Sequence, residues 1–310
     1  MAAVRAGPAL SADSARAADK LGAAGAGRSA LRLGSWRLES LLGEGTFTRV
    51  YRARYADTPD QSRGAYAIKV LRQRWHDSAP ALARLRREAI VGRCVAHRHV
   101  ISILTGHVHQ PPYYVVMPCL DGKPVLARLA TQQKTNLSQA LWIARQAAEA
   151  LDALHTSGYL HGDVKPSNLF ISPAGHVTLI DLGCARRLDD DPALDDHTLA
   201  GTPAYLAPEV LAGLRADARS DLYSLGVTLF EMLCGRLPWV ETDVAALVAR
   251  KRAGTLPSVR AFAPQVPSDM AQLVIRLTAG EPLRRPLTAR EVIGSLVKLE
   301  IGTLAQHRWR

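Results

Sequence analysis

The hydrophobic period of this chain changes once, near Gly122, and that change limits the folds it can adopt. Before it, apolar residues come in short runs, and 36–42, 49–55, 65–71, 101–109 and 113–117 read as strands, the last two joined by a Gln-Pro-Pro turn. One stretch among them, 80–93, has helical spacing, with Leu82, Leu85, Ala89 and Ile90 predicted on one side. Ser78 is its expected cap, and Pro80 falls in the first turn, where a missing N–H is tolerated. After Gly122, 138–155 reads as a long amphipathic helix capped by Ser138. Short strands are expected at 169–171 and 177–180, and helices at 219–235, 241–252, 267–278 and 288–300. A β-rich part with one main helix precedes a larger α-rich part. This predicts an α+β fold of two lobes, 36–120 and 121–300, with a ligand cleft between them.

Composition allows a large core: 47% of the residues are hydrophobic and 22% charged, which excludes wholesale disorder. Residues 1–35 are dominated by Ala, Gly, Ser and Arg, with no aromatic and no apolar period, and read as a disordered tail; 301–310 reads as a short C-terminal tail. The net charge of +11 favours polyanions. Only seven of the 39 basic residues are lysine, however, and the excess is spread along the chain. We read the arginine and alanine bias as GC-rich coding and expect no nucleic-acid partner, since no basic cluster is interleaved with aromatics. Cys94, Cys119, Cys184 and Cys234 stand alone, which fits a reducing, cytoplasmic setting and indicates neither a zinc knuckle nor a disulfide framework. The pairs His97/His99 and His107/His109 lack a third ligand and are not read as a metal site. No apolar run is long enough to span a membrane.

Four blocks carry chemistry. The first is the turn Leu42-Gly43-Glu44-Gly45-Thr46-Phe47-Thr48-Arg49-Val50, whose glycines let backbone N–H groups approach phosphate oxygens. Alone it also fits an ordinary hairpin. The second is Lys69, ending Ala67-Ile68-Lys69 on a predicted strand, with Glu88 on the following helix. A Lys–Glu pair can hold an ammonium against nucleotide phosphates, although Lys69 also fits a surface-edge charge and Glu88 a solvated helix face. The third is His161-Gly162-Asp163-Val164-Lys165-Pro166-Ser167-Asn168-Leu169, followed by Leu179-Ile180-Asp181-Leu182-Gly183. Acids in apolar surroundings are costly to place without purpose. Asp163 can take a hydroxyl proton, while Asn168 and Asp181 offer the hard oxygen donors that Mg2+ prefers. The fourth is Gly201-Thr202-Pro203-Ala204-Tyr205-Leu206-Ala207-Pro208-Glu209.

In this order (glycine turn, A-I-K, helix Glu, H-x-D-x-K-x-x-N, D-L-G, A-P-E) the sequence resembles the eukaryotic-type (Hanks-type) serine/threonine protein kinases, in the manner of soluble bacterial members, over residues 36–300. The resemblance implies a bilobal kinase fold and transfer of the γ-phosphoryl of ATP to protein serine or threonine hydroxyls. It places Leu42, Gly43, Gly45 and Val50 over the phosphates and adenine, and Lys69, braced by Glu88, on the α- and β-phosphates. Met117 becomes the gatekeeper, Pro118 and Leu120 the hinge contacts to adenine, and Ala67 and Phe170 the walls around the ring. Asp163 is the implied catalytic base and Lys165 the cation steadying the γ-phosphate. Asn168 and Asp181 are the implied ligands of Mg2+, with Mn2+ as an alternative. Thr202 is implied to contact Asp163 and Lys165, Glu209 and Arg285 to form a buried ion pair, and Asp221 to anchor the catalytic-loop backbone.

Three positions depart from that pattern. Thr48 replaces the third glycine of the turn. Gly162 stands where an Arg that receives an activation-loop phosphate is usual, which predicts that loop phosphorylation is not required. Gly92, four residues after Glu88, replaces a larger apolar residue, which predicts a loosely held helix. These three are the support for the competing reading, a nucleotide-binding pseudokinase. The segment 184–200 is acidic (Asp189, Asp190, Asp191, Asp195, Asp196) and is expected either to be solvated or to pair with Arg186 and Arg187. Autophosphorylation, if present, falls on Thr198 or Thr202.

Overall fold

The computed structural model describes residues 32–58, 64–132, 134–189, 201–241, 243–254 and 256–307. The chain forms two compact units. One takes in 32–93 and Ser102–Leu120; the other takes in Cys94–Ile101 and the residues from Asp121 on.

The first unit is a six-stranded antiparallel sheet with one long helix. Its strands are β1 (Arg32–Leu33), β2 (Trp36–Glu44), β3 (Thr48–Tyr55), β4 (Tyr66–Leu71), β5 (Thr105–His107) and β6 (Tyr114–Pro118), in the order β1-β2-β3-β4-β6-β5. The chain is ordered earlier than expected: Leu33 pairs with Trp36 and is fully buried, so the tail reading keeps only residues outside the described ones. Alternation sorts the strands' side chains to two faces. Leu33, Leu38, Tyr51, Ala53, Ile68, Val70, Tyr114 and Val116 make one core. The other face carries Leu71 and Val115, which pack with Ala81, Leu85 and Ala89 of helix α1 (Ala79–Cys94) and with Ile103 and Val108.

Three expectations change here. Ile90 of α1 is 57% exposed, because the buried stripe runs through Ala81, Leu85, Glu88 and Ala89 instead. The expected strand 101–109 shrinks to β5, because Ile103 leaves the ladder to donate its N–H to the Gly92 carbonyl at 2.9 Å. The same contact removes the reason to expect a loose helix. A Cβ on Gly92 would lie 2.4 Å from Ile103 Cγ1, so the space a larger residue would fill is filled by Ile103.

The second unit is largely helical. It contains β7 (Lys123–Pro124), α2 (Val125–Gln132), α3 (Leu137–Thr156), β8 (Tyr159–Leu160), β9 (Leu169–Ile171), β10 (Val177–Leu179) and β11 (Arg186–Arg187). The helices α4 (Pro208–Leu211), α5 (Ala218–Cys234), α6 (Val244–Arg252), α7 (Val259–Phe262), α8 (Ser268–Leu277) and α9 (Ala289–His307) follow. Helix α2 was not expected. The cap of α3 is Asn136, not Ser138: its side chain accepts from the Gln139 N–H at 2.8 Å, as an Asn at that position readily does. Helix α5 is buried on almost every side, the mark of a central helix. Its start is fixed by a capping box between Asp217 and Ser220. Helix α9 runs on to His307, past the expected end at 300, and its Glu300 receives the Arg145 guanidinium of α3 at 2.9 Å. Among the described residues, no helix is long and apolar enough to cross a membrane.

The tight Gly92 contact gives a test. Gly92→Ala is expected to destabilise the protein by about 1–3 kcal/mol, the usual range for overpacking. Denaturant unfolding of Gly92→Ala, Ile103→Ala and the double variant should show a double loss smaller than the sum of the two.

Candidate active site

Strand register assembles the first unit's candidates. Val50 pairs with Lys69, Ala67 with Met117, and Gly43 with Val50, so these residues share one sheet face. The opposite face is the core around Leu38, Tyr51 and Ile68; this one also carries Leu71 and Val115 against α1, the helix that bears Glu88. Lys69 Nζ lies 2.7 Å from Glu88 Oε2, and Glu88 is only 2% exposed, so the solvated-face reading of Glu88 fails. A buried carboxylate of this kind holds its cation in one place. Pro118 closes β6 opposite Tyr66, and the Cys119 N–H bonds the Ala65 carbonyl at 2.9 Å, which anchors the stretch leading to Leu120. Leu42, beside Gly43, is exposed.

The glycine-rich turn is held by its own unit. Glu44 forms ion pairs with Arg49 (3.2 Å) and Arg72 (2.9 Å). The Gly45 carbonyl accepts from Arg72 at 3.3 Å, and the Thr46 carbonyl from Trp75 Nε1 at 2.9 Å and Arg74 at 3.3 Å. Phe47 packs edge-on against Trp75. Thr48 is the first residue of β3, paired with Leu71 in extended backbone, so a glycine is not needed there.

In the second unit, the loop 161–168 gathers the polar candidates around Asp163. Its Oδ1 accepts from the Thr202 N–H at 2.9 Å and its Oδ2 from Asn168 Nδ2 at 3.0 Å; Lys165 Nζ lies 2.6 Å from Oδ2. Lys165 also donates to Thr202 Oγ1. Asn168 Nδ2 bonds the Asp163 carbonyl as well, at 2.8 Å, which leaves its Oδ1 as the atom available to a cation. The Ile180 N–H bonds the Asn168 carbonyl at 2.9 Å, so the chain reaches Asp181 beside Asn168. Asp181 has φ 66°, the only non-glycine positive φ among the described residues. Strain of that kind concentrates at functional positions. Two oxygen donors fit a hard divalent cation whose other ligands are phosphate and water. Phe170 sits on β9 between Pro124 and Thr178.

The loop backbone is fixed from below. Asp221 of α5 is 3% exposed and accepts from the His161 N–H at 2.8 Å, the Gly162 N–H at 2.9 Å and His155 Nε2 at 2.9 Å. Burial alone would raise its pKa, but the bond and charge of His155, with His161 and the Gly162 N–H, hold it below the usual carboxylate value. Gly162 has φ 76°, and a Cβ there would lie 2.6 Å from the Cys184 carbonyl oxygen. The missing Arg is therefore accompanied by a backbone in which no side chain fits. Glu209 and Arg285 form a two-bonded pair at 2.7 and 2.8 Å, and Ser220 donates to the same carboxylate.

Sequence reasoning missed His155 and the fully buried Lys251, which donates to three carbonyls in 203–206. Nothing in the pattern marks either, since His155 closes a helix with no motif around it and Lys251 lies in a basic run. His99 bonds the Val177 carbonyl and stacks on His176, and His107 bonds the Pro112 carbonyl. Arg187 pairs with Asp189 in an exposed position of little energetic weight. Asp190, Asp191, Asp195, Asp196 and Thr198 lie outside the described residues.

An antiparallel sheet bearing a Lys–Glu pair, and a helical unit bearing an Asp-Lys-Asn loop with an Asp beside it, are the parts of a protein kinase domain. A family model for that domain matches residues 36–296, and the chain belongs to the protein kinase family, whose members use ATP with a divalent cation. It is 33% identical, over 83% of its length and 44% of the relative's, to serine/threonine-protein kinase PknJ of Mycobacterium tuberculosis. It is 28% identical, over 83% and 41%, to the probable serine/threonine-protein kinase PknB of Lactococcus lactis. It is 27% identical, over 84% and 39%, to serine/threonine-protein kinase PrkC of Bacillus subtilis. The chain spans less than half the length of these curated relatives.

Two outcomes follow from the loop's support. The lowered pKa of Asp221 means its contribution to stability is present above the unfolded value of about 4 and is lost as pH falls through the folded value. Asp221→Asn should cost about 2–4 kcal/mol at pH 7, with a smaller gap to wild type near pH 3, read from urea midpoints at both. Gly162→Ala should lower stability by about 1–3 kcal/mol, measured the same way, from backbone strain and the clash with Cys184.

Proposed function

We propose that the chain is a serine/threonine protein kinase, transferring the γ-phosphoryl of ATP to hydroxyls of protein substrates. The observation that carries this reading is the set of bonds on the Asp163 carboxylate. Asn168, Thr202 and Lys165 hold it from three sides, so its orientation is fixed before substrate arrives. Asp163 orients the acceptor hydroxyl and takes its proton. The hydroxyl oxygen forms a bond to the γ-phosphorus as the bond to the β,γ-bridging oxygen breaks, and ADP leaves. Lys165 steadies the γ-phosphoryl; Lys69, braced by Glu88, takes the α- and β-phosphates. The turn at Gly43 and Gly45 covers the phosphates. Leu42, Val50, Ala67, Met117, Pro118, Leu120 and Phe170 receive adenine.

Asn168 and Asp181 would hold Mg2+, with Mn2+ served by the same oxygen donors. That ion supplies neutralisation of the charge on the phosphates. The Lys two residues after the base supports Ser/Thr over Tyr acceptors. The four cysteines, none of them in a disulfide, support a cytoplasmic site of action. Thr202 and Thr198 are the proposed autophosphorylation sites. No observation favours the pseudokinase reading. Thr48 fits as a strand residue, Gly92 is packed by Ile103, and Gly162 is required by its backbone.

Transfer of radiolabelled phosphate from ATP with Mg2+ to casein tests the proposal. Asp163→Asn is expected to lower kcat by about 10^2–10^4, and Lys69→Ala to abolish measurable transfer. Phosphoamino-acid analysis should return phosphoserine and phosphothreonine. Wild-type rates in Asp163→Asn would refute the assigned base.

A further inference from the structure

Lys251 lies between Arg250 and Arg252 at the end of α6, where three basic residues in a row read as a solvated helix end. Its side chain is instead fully buried. The ammonium donates to the carbonyls of Pro203 (3.0 Å), Ala204 (2.9 Å) and Leu206 (2.6 Å). It also lies 5.4 Å from the ring centre of Tyr223 and 5.7 Å from that of Trp239. Among the described residues, no carboxylate is within ion-pair distance of it. An ammonium without water or a counter-ion is costly unless every N–H is used. Here three N–H groups meet three carbonyls, and two aromatic faces add cation–π attraction.

Those carbonyls belong to a functional stretch. Thr202, immediately before it, donates its N–H to Asp163 and receives Lys165 on its hydroxyl. Pro208, just after it, opens α4. The backbone also curls on itself, with the Tyr205 and Leu206 N–H groups bonded to the Thr202 carbonyl. A single side chain thus ties three points of a short segment to α6. We propose that Lys251 is a positioning residue for the protein substrate: it holds 203–206 so that Thr202 stays on Asp163 and Lys165 and the segment keeps its substrate-docking shape. This rests on the kinase reading above.

Three acceptors need the ammonium, since a neutral amine has only two N–H groups. Burial pushes the Lys251 pKa down to about 7, with the Glu209 charge pulling the other way. Around it stand Glu209, which is held by Arg285 and Ser220; Arg285 itself, over the Tyr223 ring; and the Tyr205 hydroxyl, bonded to Glu231. Burial raises the pKa values of Tyr205, Tyr223 and Glu231; on losing a proton each gains only negative charge and loses its O–H, so none of the three can replace the ammonium as a donor. The clamp therefore loosens as pH rises through this range.

The test uses the full chain, ATP with Mg2+, and casein as acceptor. Lys251→Met keeps length and apolar fit but has no donor. Its KM for casein should rise about tenfold while its KM for ATP stays within about twofold. In wild type, KM for casein should rise about threefold from pH 6.5 to 8.5, and this rise should be absent in Lys251→Met. Lys251→Arg, charged throughout, should return KM for casein to within about threefold of wild type. Amide hydrogen exchange at Ala204, Tyr205 and Leu206 should quicken in Lys251→Met. Should that variant not fold, the wild-type pH profile and Lys251→Arg decide the matter. Wild-type transfer with an unchanged casein KM and unchanged exchange in Lys251→Met overturns the role of Lys251 alone. Absence of transfer in wild type that still binds ATP overturns the kinase reading and this inference with it.

Discussion

Asp221 is withdrawn from water and still carries its charge, because two backbone N–H groups and the His155 imidazole converge on it. The His161 and Gly162 amides cannot shift without leaving a buried carboxylate unpaired, which makes their positions stiff. Stiffness passes onward through His161, whose ring meets the Ile180 carbonyl and the Asp163 N–H. One buried charge on a central helix thereby sets the height of the loop bearing Asp163 and the end of β10 leading to Asp181. The left-handed turn at Gly162 is the geometric cost of that arrangement.

The same unit places its other buried charges around one stretch of chain. Arg285 and Glu209 lock the end of 201–209, and Lys251 holds its middle. Removing one member of such a pair leaves an uncompensated charge and typically costs about 3–5 kcal/mol, whereas exposed pairs such as Arg284–Glu281 contribute little. Electrostatic stability is thus concentrated around the stretch 201–209, which also holds the Asp163 carboxylate through Thr202.

Much of this was legible in the sequence. The antiparallel strands, α1, α3 and α5 follow from period and turn chemistry, which are local, while the polar blocks are read through the resemblance that their order carries. What escaped is non-local. Glu88 could be buried or solvated until Lys69 was placed across from it. Ile103 reads as strand by propensity, but the space above Gly92 draws it out of the ladder. Ser138 and Asn136 are both good caps, and the backbone of the preceding turn decides between them. Lys251 sits in a basic run whose neighbours face solvent, so no pattern marks its burial. The expectations that failed are those in which a distant backbone or side chain supplied the missing partner.

The carbonyls of Gly45 and Thr46 are already claimed by Arg72, Arg74 and Trp75, and the aromatic pair Phe47–Trp75 closes over the same connection. Each such bond is worth about 0.5–1.5 kcal/mol net. The hairpin tip therefore behaves as a latched flap, sprung from the strand that carries Lys69. Any guest that lifts the tip must break the latch, and any substitution at Trp75 would be felt as slack at the glycines.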